Sequence, residues 1–141
     1  ILTHTVAELS DLHPQQPIHT NINIEGAVDC DPERIAQLLS NLLINAVVHG
    51  DRAEIIEVKA ALEHGVFSLI VSNGGELISP ETVDKLFQPF WRNERNKQTG
   101  GLGLGLFIAS QITLAHKGTL AVNSNNSRTV FTFQATLKCQ S

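Results

Sequence analysis

A glycine-rich segment that runs directly into a helical pattern places the strongest constraint on how this chain can fold. Residues 100–105 contain four glycines, and each would cost a helix interior about 1 kcal/mol relative to alanine. Apolar residues then recur at helical spacing from Leu104 to Ala115. A bare loop that leads into a helix N-terminus offers backbone N–H groups to an anion, and we expect that anion to be phosphate.

The two best-known glycine patterns for phosphate do not fit this segment. No lysine follows the glycines, as the Walker loop requires, and Leu106 stands where the last glycine of a dinucleotide-binding pattern would be. A polar run at residues 92–98 precedes the glycines, where that second pattern needs a strand. A glycine-rich surface loop without a ligand therefore stays open as the alternative.

The composition is that of a single globular domain. Of the 141 residues, 42% are hydrophobic and 17% are charged, which suits one core and excludes a disordered chain. The net charge of −4 and the lack of a long basic run argue against a nucleic-acid partner. Cys30 and Cys139 lack metal-site spacing and fit a reducing compartment. We expect a cytoplasmic domain that is a monomer in isolation.

Hydrophobic periodicity predicts an α+β fold. Strands and helices do not alternate strictly, which favours a two-layer α/β sandwich over a doubly wound sheet. We expect a mixed sheet of about five strands with three helices on one face. The predicted helices cover residues 1–12, 33–49 and 103–116, with a short one at 79–87, and the predicted strands cover 18–24, 53–63, 66–72, 120–122 and 130–137.

Two groups of polar side chains interrupt apolar surroundings. Asn41, Asn45 and His49 are spaced four residues apart and share one helix face. An Asn side-chain oxygen can bind Mg²⁺, although a solvated helix edge or backbone-capping asparagines remain possible interpretations. Asn73 ends a strand and could present its amide to a base edge, with Gly75 allowing a flat ring to approach. The alternative is an ordinary Asn-Gly turn.

In this order, these segments resemble the ATP-binding catalytic domain of sensor histidine kinases, within the GHKL (Bergerat) ATPase superfamily. The matching segments run from about Asp31 to Leu137, which is most of the chain. Four boxes in family order are together far more specific than any one of them. Asn41–Ala46 resembles the N box, Asn73–Ile78 the G1 box, Leu86–Phe90 the F box, Gly101–Leu106 the G2 box, and Arg128–Phe131 the closing Gly-Thr-x-Phe segment.

The resemblance implies a role for each matching position, with ATP and Mg²⁺ as the cofactors. Asn45 would hold Mg²⁺, and Asn45 and Arg92 would be the catalytic residues, Arg92 approaching the γ-phosphate. Residues 91–100 would form a short mobile lid over ATP. The nucleotide-binding residues implied are Asn41, Asn45, His49, Asn73, Gly75, Ile78, Phe87, Arg92, Gly101, Leu102, Gly103, Leu104, Gly105, Leu106 and Thr129.

The chain departs from the family pattern at three positions. The G1 box begins with Asn73 where the family usually has Asp, which accepts a hydrogen bond from the adenine amino group. The Asn73 amide can still accept without charge, and it can also rotate to donate. Leu77 replaces the second G1 glycine, and Arg128 stands where glycine is usual. The G1 form Asn-x-Gly-x-x-Ile, together with the run Gly-Leu-Gly-Leu-Gly-Leu, is similar to kinases of the bacteriophytochrome-like group. This similarity does not imply a light sensor.

The resemblance also predicts what lies outside the ATP-binding domain. The family's phosphate-accepting His precedes an acidic residue, whereas His4 precedes Thr5 and His13 precedes Pro14. We therefore interpret residues 1–14 as the end of an upstream helical hairpin or linker, and residues 15–141 as the catalytic domain. The expected partners are ATP or ADP, that dimerisation and His-phosphotransfer hairpin, and a response regulator.

The function implied is transfer of the ATP γ-phosphoryl group to a His on the upstream hairpin, by a protein-histidine kinase of a two-component system. Two other functions stay open from the sequence. One is a degenerate, non-catalytic module that binds a nucleotide or a partner, which the Asn73 and Leu77 departures favour slightly. The other is a different GHKL ATPase or a protein-serine kinase, which the F box and the short lid disfavour.

Overall fold

The computed structural model describes residues 2–12, 14–23, 27–28, 32–49, 54–75, 85, 87, 105–125, 128–136 and 139–140. These residues form three helices and seven strands. In chain order they are α1 (Leu2–Leu12), β1 (Ile18–Asn23), β2 (Ala27–Val28), α2 (Pro32–His49), β3 (Ile56–Glu63), β4 (Val66–Gly74), α3 (Gly105–Ala115), β5 (Thr119–Ser124), β6 (Arg128–Thr136) and β7 (Cys139–Gln140).

Five of the strands form one mixed sheet in the order β1-β3-β4-β6-β5. β1 runs parallel to β3, and the other neighbours are antiparallel. α2 packs against β4, and α3 packs against both α2 and β5. The predicted α+β sandwich with a mixed five-stranded sheet is therefore confirmed. A separate antiparallel ribbon of β2 and β7 was not predicted, because two-residue strands carry no detectable periodicity.

The core lies between one face of the sheet and the inward side of the helices. Alternate residues of β3, β4 and β6 are buried there, as expected for strands with one covered face. Phe131 and Phe133 are among the largest fully buried side chains. α2 is the central helix, and four of its leucines are fully buried: Leu38, Leu39, Leu42 and Leu43. α1 adds Val6 and Leu9 to the same core.

The predicted element boundaries agree closely with the structure where both can be compared. The helix after the glycines begins at Gly105 in the described part of the chain, and residues 103–104 lie outside it. Of the short helix predicted at residues 79–87, only Lys85 and Phe87 are described, and both lie in turns. None of the helices in the described ranges is long and apolar enough to cross a membrane.

The two residues between the strands predicted at 53–63 and 66–72 form the turn from β3 to β4, and one of them has an unfavourable backbone conformation. His64 and Gly65 have φ angles of 52° and 78°, the pattern of a type I′ hairpin turn, for which Asn-Gly is the preferred pair. We expect His64→Asn to stabilise the fold by about 0.5–1 kcal/mol, because Asn tolerates positive φ at lower cost. Urea denaturation measures this change.

His19→Asn is the matched control for that substitution. His19 is exposed on β1 and is not among the described residues with positive φ, so the same replacement there should bring no gain in unfolding free energy. An equal gain at both positions would show that the effect comes from removing an imidazole and not from the turn.

Candidate functional site

The end of β4 carries the side chain predicted to meet the base. Asn73 is buried, with 4% of its surface exposed, and its Nδ2 donates a hydrogen bond of 2.8 Å to the carbonyl oxygen of Gly74. A backbone carbonyl only accepts, so this contact fixes which end of the amide is the nitrogen. The Asn73 Oδ1 atom is therefore the end of the side chain that can accept from a ligand.

Thr129 lies opposite Asn73 in the sheet. The two residues are register partners across β4 and β6, and Thr129 is also buried. Its Oγ1 atom shares a hydrogen bond of 2.9 Å with Oγ of Ser124 on β5. Ser124 was not predicted as part of the site, because its only sequence signal is a place beside a polar run at residues 125–127. The predicted pair of Asn73 and Thr129 thus forms one polar strip across adjacent strands.

Two glycines follow Asn73, and the structure gives a reason for each. Gly75 has φ of 135°, a conformation that residues with a Cβ rarely adopt. Gly74 lies against the segment before β3, since a Cβ there would be 2.7 Å from Cγ of Glu54. The sequence predicted that Gly75 lets a flat ring approach closely. The structure gives a different reason for glycine at this position, which is its positive φ angle.

The amides of α2 form the second polar group. Asn41 and Asn45 lie one turn apart and are both half-buried. The Nδ2 atom of Asn41 is buried and has no hydrogen-bond partner within the described part of the chain. An unpaired buried donor costs about 1–3 kcal/mol, so this atom has a hydrogen bond left to donate. His49 is the last residue of α2, and its side chain lies outside the description.

Aromatic packing connects the predicted F box to the sheet. Phe87 is half-buried and meets Phe131 of β6 edge to face, with ring centroids 6.3 Å apart and planes at 89°. Leu106 packs against the same core. Gly105 is exposed at the start of α3, and a Cβ there would meet nothing within 4 Å. The other predicted site residues lie outside the described part of the chain: Ile78, Arg92, Gly101, Leu102, Gly103 and Leu104.

The two polar groups, at the end of β4 and on α2, lie on elements that adjoin one another, because α2 packs on both β4 and α3.

A family model described as the histidine kinase-, DNA gyrase B- and HSP90-like ATPases matches residues 30–139. The chain belongs to this family. The match covers every box that the sequence analysis assigned, so the predicted membership of the GHKL superfamily is confirmed.

The relatives of this ATPase domain are sensor kinases. It is 34% identical to the sensor protein VanS of Enterococcus faecium over 138 residues, which cover 92% of the chain and 36% of VanS. It is 40% identical to the sensor histidine kinase CusS of Escherichia coli O157:H7 over 109 residues, which cover 76% of the chain and 23% of CusS. The chain therefore spans roughly a quarter to a third of the length of these curated relatives.

Solved structures share the fold of this ATPase domain. The catalytic domain of the histidine kinase ThkA superimposes with a TM-score of 0.79 at 25% identity, covering 96% of this chain and 89% of that one. The mycobacterial sensor histidine kinase MprB has a TM-score of 0.81 at 18% identity, covering 99% and 95%. Full-length ShkA in complex with AMPPNP has a TM-score of 0.79 at 25% identity, covering 99% of this chain and 30% of ShkA.

Proposed function

We propose that this domain binds ATP and transfers its γ-phosphoryl group to a His on an upstream helical hairpin. The observation that carries the proposal is the buried Nδ2 atom of Asn41, in the segment that resembles the N box, which has no hydrogen-bond partner among the described residues. ATP supplies acceptor oxygens of the kind this donor needs. The AMPPNP bound by the related ShkA supports a nucleotide as the ligand.

We assign the adenine to the end of β4. The Oδ1 atom of Asn73 would accept from the adenine amino group, while one of the two N–H groups of its Nδ2 atom already donates to Gly74. Thr129 would lie beside the base. Phe87, which is packed edge to face against Phe131, would form one wall of the pocket. Ile78, in the G1 segment, and Gly75 would complete the walls around the ring.

The phosphates would lie between α2 and the N-terminus of α3. Asn41 and His49 would bind phosphate oxygens. Asn45 would offer its side-chain oxygen to Mg²⁺, a cation that prefers oxygen ligands such as this amide oxygen and the phosphate oxygens. Bound Mg²⁺ supplies positive charge that neutralises the transferring group. The backbone N–H groups of Gly101–Leu106 would cradle the remaining oxygens, at the positive end of the helix dipole.

The work of the protein in this reaction is positioning and charge stabilisation. Phosphoryl transfer needs little covalent chemistry from the enzyme, so fixed donors around the γ-phosphoryl group supply most of the rate enhancement. Arg92 would provide the positive side chain there. The acceptor His would come from the upstream hairpin, and a response regulator would receive the phosphoryl group afterwards. The cytoplasm is the expected site of action.

Calorimetry followed by phosphotransfer tests this proposal. We expect the chain to bind ATP more tightly with Mg²⁺ than with EDTA, because Asn45 and the phosphates would share the metal. With its own upstream hairpin restored, we expect radiolabelled phosphate from γ-labelled ATP to reach a hairpin His. Failure to bind ATP under either condition would contradict the proposal.

A second function is a domain that binds nucleotide without transferring phosphate. It is favoured by the uncharged Asn73 at the position where the family usually has Asp. ATP binding without any phosphotransfer to the restored hairpin would support this second function over the first. Transfer to an added serine substrate instead of the hairpin would favour a protein-serine kinase.

A further inference from the structure

The guanidinium group of Arg128 donates hydrogen bonds to the backbone of two other segments of the chain, at Ile55 and Ser72. We call this set of bonds the clamp. From the first position of β6, the Nη2 atom of Arg128 donates to the carbonyl oxygen of Ile55 at 2.7 Å and to the carbonyl oxygen of Ser72 at 3.0 Å. Nη2 and Nε also lie 3.1 and 3.4 Å from Oγ of Ser72. The side chain thus links β6, β4 and the residue before β3.

These bonds act on the peptide unit that carries Asn73. The carbonyl of Ser72 and the amide nitrogen of Asn73 belong to one planar peptide group, so a hydrogen bond that fixes this carbonyl also orients the start of Asn73. Ser72 itself is buried, at 5% exposed. Arg128 is the register partner of Gly74. Its side chain therefore extends along β4 past Asn73 and contacts Ser72.

Ile55, the second residue that Arg128 contacts, lies between two residues whose backbone groups are also hydrogen-bonded. The residue before Ile55, Glu54, has a carbonyl that accepts 3.0 Å from Nε2 of the buried Gln16. The residue after it, Ile56, donates through its backbone nitrogen to the carbonyl of Pro17 at 3.0 Å. The carbonyl of Ile55 is therefore a fixed point, and Arg128 holds the end of β4 against it.

We propose that Arg128 is a positioning residue of the nucleotide site, which sets the direction in which Asn73 presents Oδ1 to the base. The proposal rests on the ATP-binding function above. A glycine at this position, as in the family pattern that the sequence resembles, has no side chain to make these contacts.

Comparing ATP with tripolyphosphate tests this role, because tripolyphosphate lacks the base. With Mg²⁺ in calorimetry, Arg128→Gly is expected to weaken ATP binding about fivefold to tenfold, the effect of a misplaced hydrogen bond. Tripolyphosphate affinity should stay within about twofold, because Arg128 contacts Ser72 at the end of β4, to which we assign the base and not the phosphates. Arg128→Lys keeps the charge but loses the planar fork, and we expect an intermediate loss for ATP.

Lys59→Gln is the matched control, since Lys59 is an exposed cation on β3 of the same sheet, and it should change neither affinity. Equal losses of ATP and tripolyphosphate in Arg128→Gly, or no loss of either, would overturn the positioning role. If the wild-type chain binds neither ligand, the proposed function fails instead.

Hydrogen exchange of the free protein tests the clamp without any nucleotide. Faster exchange at the Asn73 amide in both Arg128 variants, and not in Lys59→Gln, would support the clamp. Unchanged exchange there would overturn it. A native circular dichroism spectrum of the milder Arg128→Lys variant ensures that this measurement reports on a folded domain.

Discussion

Replacing Asn45 with alanine is expected to weaken Mg²⁺-dependent ATP binding about a hundredfold, or on the order of 2.7 kcal/mol. Asn45 is half-buried on α2, one turn after Asn41, and alanine removes the oxygen that we assign to the metal. Bonds to charged groups contribute about 1.5–3 kcal/mol each, so the effect should be large in Mg²⁺ and small in EDTA. Calorimetric titration of ATP under the two conditions measures the difference, and phosphotransfer should fall in parallel.

Ile44→Ala is the control for the Asn45 variant. Ile44 is the neighbouring residue on α2, and 42% of its surface is exposed, so its truncation tests whether any change on this helix disturbs binding. We expect its ATP affinity to match that of the wild type in both buffers. If the Asn45→Ala and wild-type proteins show the same dependence on Mg²⁺, the metal assignment is wrong.

The helices and strands that position the site could be predicted because each follows a local rule. The run of apolar residues that surrounds Asn41 and Asn45 has helical spacing, and α2 contains both on one half-buried side. Alternation in residues 130–137 predicted β6, whose buried residues fall at every second position. The turn at His64 and Gly65 follows from the glycine between two strand patterns.

The hydrogen bonds that Arg128 makes to Ile55 and Ser72 could not be predicted, because they join residues far apart in sequence. Arg128 and Ser72 are separated by 56 positions, and no periodicity relates them. The family resemblance marked Arg128 only as a departure from the usual glycine. The Nδ2 atom of Asn41, which has no partner within the part of the chain that the structure describes, likewise depends on how α2 packs against its neighbours. Local patterns thus predict which residues reach the site, and packing decides which of their atoms remain available.

The orientation of the Asn73 amide is the clearest case of this difference, and it changes what the sequence predicts for base selectivity. From the sequence alone, the amide could accept or rotate to donate. In the structure its nitrogen is bonded to Gly74, so turning it to meet the carbonyl of guanine would break a buried hydrogen bond and place Oδ1 against an acceptor. We therefore expect the wild-type protein to bind ATP about fivefold to a hundredfold more tightly than GTP, from about 1–3 kcal/mol for a group left unpaired.

Asn73→Leu is expected to weaken ATP binding by about tenfold to a hundredfold, because the buried adenine amino group loses its acceptor. The preference for ATP over GTP should largely disappear with it, since leucine can neither accept nor donate. Calorimetry with both nucleotides in Mg²⁺ measures affinity and preference together. Retention of the wild-type preference in Asn73→Leu would show that another group recognises the base and that Asn73 serves the turn alone.

Asn73→Asp separates the acceptor from the bond that orients it. A carboxylate accepts more strongly than an amide, but it cannot donate to Gly74, so one of its oxygens would face a carbonyl across the 2.8 Å that the amide now spans. We expect this variant to keep its preference for ATP, because its side chain still accepts. Its free energy of unfolding should fall by about 1–3 kcal/mol, the cost of a buried acceptor left unpaired. Urea denaturation showing no loss of stability would mean that the bond to Gly74 does not hold the Asn73 side chain in place.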